Sequence, residues 1–290
     1  MEGSEPKQLI WVVFYGLSAL GKTYFLNLFK ETCVAEGVNI AIVSSDDCSE
    51  KVIKAFKEKN PETKGEDILN KCRKDINKLF ENTIAGHVGK MKPGRNIIVL
   101  DKVMNGGKFL QDINKTFLVK VPTKLVAIIP WTPSSFQYSF HGTVPFSESL
   151  ILNVCHRIMV RDTHQTVEGS GSKKLWIALS FVKLYNGLKS LTEKQAEGGI
   201  EKFVDISFHQ ETEHTIKEIP PKFTELVKKT LKELKSFQGD EQVCQELANY
   251  LEDPATQQSL KPALAFGDAA QQKAKVLEII GFFKDLGKEE

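Results

Sequence analysis

The chain has 290 residues, 41% of them hydrophobic and 26% charged, enough to bury one α/β core with an appendage or at most two small domains. Thirty-nine Lys+Arg against 37 Asp+Glu leave a formal charge of +2, which excludes a global basic field, so any contact with nucleic acid has to come from a local patch. The polar start MEGSEPKQ and a first apolar run far too short to span a bilayer give no sign of a secretory signal or membrane anchor, and the expectation is a soluble, intracellular protein with no membrane partner.

Leu9 to Tyr15 (LIWVVFY) reads as a buried strand, because a continuous apolar run of this length suits a strand covered on both faces. Gly16-Leu17-Ser18-Ala19-Leu20-Gly21-Lys22-Thr23 follows, and Phe25, Leu28, Phe29 and Thr32/Cys33 then recur at helical spacing. A G-x-x-x-x-G-K-[ST] run between a strand and a helix is the pattern of a phosphate-binding loop. Its backbone N–H groups turn inward on the phosphates, Lys22 supplies charge to the β and γ oxygens, and Thr23 offers a hydroxyl to Mg²⁺. A nucleoside triphosphate is the expected ligand.

The helix is expected to run over 22–36 and to end at Gly37, with a second strand over 38–43. A long helical stretch spans about 66–90, Asn96–Leu100 (NIIVL) and Leu125–Ile129 (LVAII) are strands, and Phe203–Ile206 is a last short one. This alternation predicts a P-loop kinase fold, a mainly parallel sheet with helices on both faces. Helices are also expected over Ser149–Arg161, 175–189 and 221–237, and residues 239–290, rich in Gln, Ala and Glu, read as a helical C-terminal extension beyond a domain at 1–238. That extension either braces the core or offers a docking element to a partner. Five scattered cysteines (Cys33, Cys48, Cys72, Cys155, Cys244) form no C-x-x-C pair, which fits reduced thiols of the cytoplasm or nucleus rather than a disulfide frame or zinc site.

Open α/β sheets gather ligands outside the carboxyl ends of their strands. The second strand ends in Ser44-Ser45-Asp46-Asp47 and the third in Asp101-Lys102. One aspartate there can take the proton of an attacking hydroxyl and another can hold a Mg²⁺-bound water. Either Asp46 or Asp47 could instead cap the helix beginning near Cys48. We assign catalysis to Asp46 and capping to Asp47.

Farther along, Leu150, Ile151, Val154, Cys155, Ile158 and Met159 define one helical face, with Asn153, Arg157 and Arg161 opposite and Gln165 continuing that row. Beside the flexible-looking Gly169-Ser170-Gly171-Ser172, this stripe reads as a helical lid over about 147–172 that neutralises charge on a transferring phosphate.

The phosphate loop, the strand-end aspartate and the segment Arg157-Ile-Met-Val-Arg161-Asp-Thr-His164-Gln165 together resemble the kinase domain of fungal-type tRNA ligases, within the P-loop polynucleotide 5′-hydroxyl kinases. The likeness covers roughly residues 8–220. It implies that Lys22 and Thr23 bind donor phosphates and metal, that Asp46 is the general base for a 5′-hydroxyl, and that Arg157 and Arg161 embrace the transferred phosphate. It also implies substrate contacts at Asp101, Lys102, His164 and Gln165. Several segments depart from the family pattern. Asp101-Lys102-Val103-Met104-Asn105 stands where an Asp-Arg-Asn-Asn-His-like run is usual, the lid is one residue shorter, and Ser49 stands three residues beyond Asp46, where the related phage polynucleotide kinase has an arginine.

What the resemblance implies is transfer of the γ-phosphate of GTP or ATP, with Mg²⁺, to the 5′-hydroxyl end of RNA in tRNA splicing or RNA repair, with an RNA ligase as a further partner. Lys71, Arg73, Lys74 and Lys78, with Lys90, Lys92 and Arg95, offer either an RNA backbone track or an ordinary solvated face. Two alternatives stand beside this reading: a nucleoside or other small-molecule kinase, and a nucleotide- or RNA-binding module without turnover.

Overall fold

The computed structural model describes residues 6–14, 22–63, 65–102, 109–110, 112–129, 202–205, 241–255 and 269–285, together with residues 155, 158, 175 and 225. Within them lie strands β1 (Gln8–Phe14), β2 (Asn39–Ser44), β3 (Arg95–Asp101), β4 (Thr123–Ile129) and β5 (Lys202–Asp205). The helices are α1 (Lys22–Ala35), α2 (Ser45–Lys59), α3 (Gly65–Gly89), the single turn α4 (Ile113–Thr116), α5 (Glu241–Glu252) and α6 (Ala269–Asp285).

The five strands form one parallel sheet in the order β2-β3-β1-β4-β5. Parallel strands are covered on both faces, which is why LIWVVFY and NIIVL carry no polar alternation. Successive side chains still point to opposite faces. Ile10, Val12, Phe14, Ile97, Val99, Val126 and Ile128 pack with Phe25, Leu26 and Phe29 of α1 and with Val276, Ile279, Ile280 and Phe283 of α6. Leu9, Trp11, Val13, Ile98, Leu100, Leu125 and Ala127 pack on the other face with Cys48 of α2, Phe80 and Ile84 of α3, and Ile113 of α4.

Aromatic contacts tie the first face together across three elements. Phe14 lies 5.7 Å from Phe25 between ring centroids, Phe25 stacks on Phe29 at 5.5 Å, and Phe29 meets Phe283 at 6.0 Å. Of the two roles open to the C-terminal segment, α6 braces the core: its Val276, Ile279, Ile280 and Phe283 side chains are buried and it packs beside α1.

Gly37 ends α1 as the sequence predicts. Its φ of +68° suits a residue without a Cβ, and two hydrogen bonds close the turn, Gly37 N–H to Val34 O at 3.1 Å and Val38 N–H to Cys33 O at 2.8 Å, the Schellman arrangement. On the opposite face the buried Trp11 indole donates to Asn114 Oδ1 at 2.8 Å, and Asn114 Nδ2 donates to Thr123 Oγ1 at 2.6 Å. That pair anchors α4 to β1 and β4.

α2 and α3 pack as a hairpin through Ile53, Ile68 and Cys72. At 25 residues α3 is about 37 Å long, while a seven-residue strand spans about 23 Å. The helix descends toward the amino end of β3, so its first half outruns the carboxyl edge of the sheet. Cys33, Cys48, Cys72 and Cys155 are buried and form no disulfide. No helix among the described residues is long and apolar enough to cross a membrane.

Candidate active site

α1 and α4 follow the neighbouring strands β1 and β3 but lie on opposite faces of the sheet. The crevice outside the carboxyl ends of β1 and β3 is therefore a topological switch point, where a doubly wound sheet leaves room for a ligand. Lys22 is the first residue of α1 on one side of it, and Asp101 is the last residue of β3 on the other.

Asp101 collects the electrostatics of this edge. Burial pushes its carboxyl above the ordinary aspartate range, Lys22 opposes that push, Asp46 and Asp47 add to it, and the nearby Ser44 side chain opposes it. The first and largest cause is desolvation, which disfavours the charged form. Lys22, Asp46, Asp47 and Asp101 thus converge from α1, α2 and β3 although 79 positions separate the first from the last.

Asp46 and Asp47 are exposed residues in the first turn of α2. The cap is Ser44, correcting the assignment of that role to Asp47. Ser44 has extended backbone (φ −95°, ψ 130°), and its Oγ accepts from the N–H groups of Asp46 at 3.2 Å and Asp47 at 3.4 Å. Asp47 stands three residues after the cap, where an acid complements the positive end of the helix dipole. The signal was present as Ser44-x-x-Asp47, a capping-box spacing. Helix α2 accordingly starts three residues before Cys48.

Lys102 turns toward α3. Its Nζ donates to Asn77 Oδ1 at 3.3 Å and lies 5.0 Å from the centroid of the Phe80 ring, a cation–π geometry. Burial holds its pKa below the ordinary lysine value, with Glu81 and Cys48 pulling the other way. Asn77 and Phe80 went unnoticed in the sequence, because their role depends on a contact across 25 positions. Ser49 is buried, and its hydroxyl donates to Ser45 O at 2.8 Å, so this side chain is turned back on its own helix.

Gly16 to Gly21 lie outside the described residues, and Thr23 is the second residue of α1. Arg157, Arg161, His164 and Gln165 also lie outside them. Of the expected lid helix, Cys155 and Ile158 are described; both are helical and buried, and burial pushes the Cys155 thiol up to about 12.

Among the described residues no group of three or more His, Cys, Asp or Glu side chains is placed to hold a metal by itself. The strand-end carboxylates nonetheless suit a hard dication. Mg²⁺ in phosphate chemistry rests on one or two protein oxygens plus substrate phosphates and water, and the negative charge of Asp46 and Asp47, which adds to the burial that lifts Asp101, is what such an ion would relieve.

No protein-family model and no curated protein matches the chain. Among solved structures, the chain is similar to a protein of Chloroflexus aurantiacus J-10-fl provisionally described as a kinase. The two share 13% identity at a TM-score of 0.37, over 81% of this chain and 99% of the other. Neither family nor activity follows from a likeness at that level.

Proposed function

We propose that the chain is a P-loop phosphotransferase that moves the γ-phosphate of GTP or ATP onto the 5′-hydroxyl of an RNA end, as a kinase of tRNA splicing or RNA repair. The observation that carries this reading is the convergence of Lys22, Asp46 and Asp101 at the switch point of a parallel sheet, with Lys22 part of the Gly16–Thr23 run. Phosphoryl transfer asks the protein mainly for position and charge, and these residues supply both.

Backbone N–H groups of Gly16 to Gly21 cradle the donor phosphates, and the Lys22 ammonium balances their charge. The exposed carboxylate of Asp46 accepts the proton of the 5′-hydroxyl as that oxygen attacks the γ-phosphorus. The bond from the γ-phosphorus to the β,γ-bridging oxygen breaks, the nucleoside diphosphate leaves, and Asp46 later returns its proton to water. Arg157 and Arg161 compensate the charge spread over the equatorial oxygens, and His164 and Gln165 contact the substrate. Thr23 and Asp101 are the residues that would hold Mg²⁺ together with the donor phosphates, and the ion would supply neutralising charge to the β and γ oxygens.

Preference for a polynucleotide rests on the Arg157 to Gln165 segment and is supported by the placement of α3. Lys102 is bonded to Asn77 at the carboxyl edge, and exposed Lys71, Arg73 and Lys74 lie on the turns of α3 just before Asn77, where they could meet a polynucleotide backbone.

The test offers purified protein, Mg²⁺ and γ-labelled ATP or GTP to a 5′-hydroxyl RNA oligonucleotide, its DNA counterpart and free nucleosides. Label on the RNA 5′ end is the expected result. Preferential labelling of free nucleosides replaces the acceptor with a small molecule. Nucleotide binding with no labelled acceptor overturns the enzyme assignment and leaves a binding module.

A further inference from the structure

The amino ends of β3, β1 and β4 are stitched into one edge. Gln8 N–H donates to Gly94 O at 3.0 Å, and Leu9 N–H donates to Pro122 O at 3.0 Å. The buried Asn96 side chain fixes the turn before β3, accepting from Lys92 N–H at 2.9 Å and donating to Lys92 O at 2.9 Å and Gly94 O at 3.0 Å. The segments entering these neighbouring strands therefore sit side by side, about 5 Å apart, at the end of the sheet away from Lys22 and Asp101.

Charge on this edge is of one sign. Residues 6–14 carry Lys7, residues 82–100 carry Lys90, Lys92 and Arg95, and residues 117–129 carry Lys120 and Lys124, with no Asp or Glu in any of the three segments. An ordinary solvated face intersperses both signs, and the whole chain is nearly balanced at +2. Lys7, Lys90, Lys92 and Lys120 are exposed, and among the described residues the buried Nε–H of Arg95 has no acceptor. Glu36 lies one strand farther out, on the segment entering the marginal strand β2. A surface of this kind is complementary to a polyanion. Among the described residues Leu118 is the one large apolar side chain exposed on these segments. Even a whole myristoyl chain gives only marginal membrane binding, so a single leucine does not make this edge a bilayer anchor.

We propose that the amino edge of the sheet is a second polynucleotide site, where the phosphate backbone of the RNA body lies across Lys7, Lys90, Lys92, Arg95 and Lys120 while its 5′ end occupies the crevice at the carboxyl edge. The occupant rests on the RNA reading of the crevice; the segregation of charge does not. The two edges are separated by the length of a seven-residue strand, about 23 Å. At about 3.4 Å per step of a helical strand, an RNA needs about seven or more nucleotides to touch both. The site thus favours long acceptors and has no hold on short ones.

Lys92→Gln/Arg95→Gln/Lys120→Gln tests this against Lys54→Gln/Lys57→Gln/Lys59→Gln, which removes the same charge from α2. Binding of a fluorescent RNA of about 20 nucleotides is followed by anisotropy, without nucleotide, across a salt series. Removing three phosphate contacts from a single strand should reduce the slope of log K on log salt by about 2 and weaken binding at least about tenfold near 0.1 M salt. The α2 variant should bind within about threefold of wild type. If Arg95→Gln unfolds the chain, Lys92→Gln/Lys120→Gln repeats the comparison at two exposed positions, with a slope change of about 1.4. Equal losses from the amino-edge and α2 variants, or an unchanged slope, overturn the proposal. Wild-type binding to phosphatidylserine vesicles but not to RNA also overturns it. In transfer assays the amino-edge variant should raise KM for the long acceptor and leave KM unchanged for one of about four nucleotides, too short to reach this edge. No transfer to any acceptor, with the salt slope falling as expected, sinks the phosphotransferase reading and leaves the RNA site standing.

Discussion

Phe283→Ala tests whether the last helix is part of the core. The α6 side chains Val276, Ile279, Ile280 and Phe283 are each no more than 2% exposed, and full burial of such a side chain is worth about 1.5–3 kcal/mol. Together they contribute about 6–12 kcal/mol, against a typical net stability of about 5–15 kcal/mol. Phe283 also ends the aromatic series that runs through Phe29 and Phe25 to Phe14 at the end of β1. Truncating it alone should cost about 3–5 kcal/mol, because the rings around it cannot close the cavity. Equilibrium urea unfolding followed by far-ultraviolet circular dichroism reads this as a lower midpoint at unchanged slope, and a chain ending at residue 268 should not show a cooperative transition. A loss under about 1 kcal/mol for Phe283→Ala, together with a wild-type midpoint for the shortened chain, would refute the packing argument.

Asp101→Asn should raise the melting temperature of the nucleotide-free protein at pH 7 while removing phosphate transfer. The folded-state pKa of Asp101 is raised, so ionisation there costs stability above that pKa, and the cost vanishes as pH falls below the unfolded value near 3.9; calorimetry from pH 3.5 to 7 should find the two proteins converging in acid. Asn114→Leu should cost about 1–3 kcal/mol by leaving the buried Trp11 N–H without its acceptor. Adding Trp11→Phe should then cost less in that background than alone, as a double-mutant cycle in urea measures. Gly37→Ala should cost about 1 kcal/mol in the same assay, for the backbone alone, since φ is +68° and an added Cβ meets nothing within 4 Å.

The strands were legible because each is a short apolar run bounded by polar residues, a pattern that only a sheet covered on both faces accommodates. LVAII was read two residues short: Thr123 and Lys124 already belong to β4, polar residues that hydrophobic patterning passes over. Capping chemistry was misplaced by proximity. Asp46 and Asp47 drew attention as charges, whereas the residue satisfying the first N–H groups of α2 is the neutral Ser44. Lys102 shows the limit of reading a strand end by itself, because its ammonium is held by Asn77 and Phe80, a contact created by the packing of α3. Strand order was equally invisible, since the insertion of β3 between β1 and β2 leaves no local trace. That order nevertheless places Lys22 and Asp101 across the crevice.

The most direct test of the central claim compares single-turnover phosphate transfer from γ-labelled GTP or ATP to a 5′-hydroxyl RNA by wild-type protein and by Asp46→Ala. Loss of a general base should slow transfer by at least about a hundredfold while equilibrium affinity for the nucleotide stays as it was. Transfer by Asp46→Ala within a few fold of wild type would contradict the assignment of Asp46, and with it the mechanism.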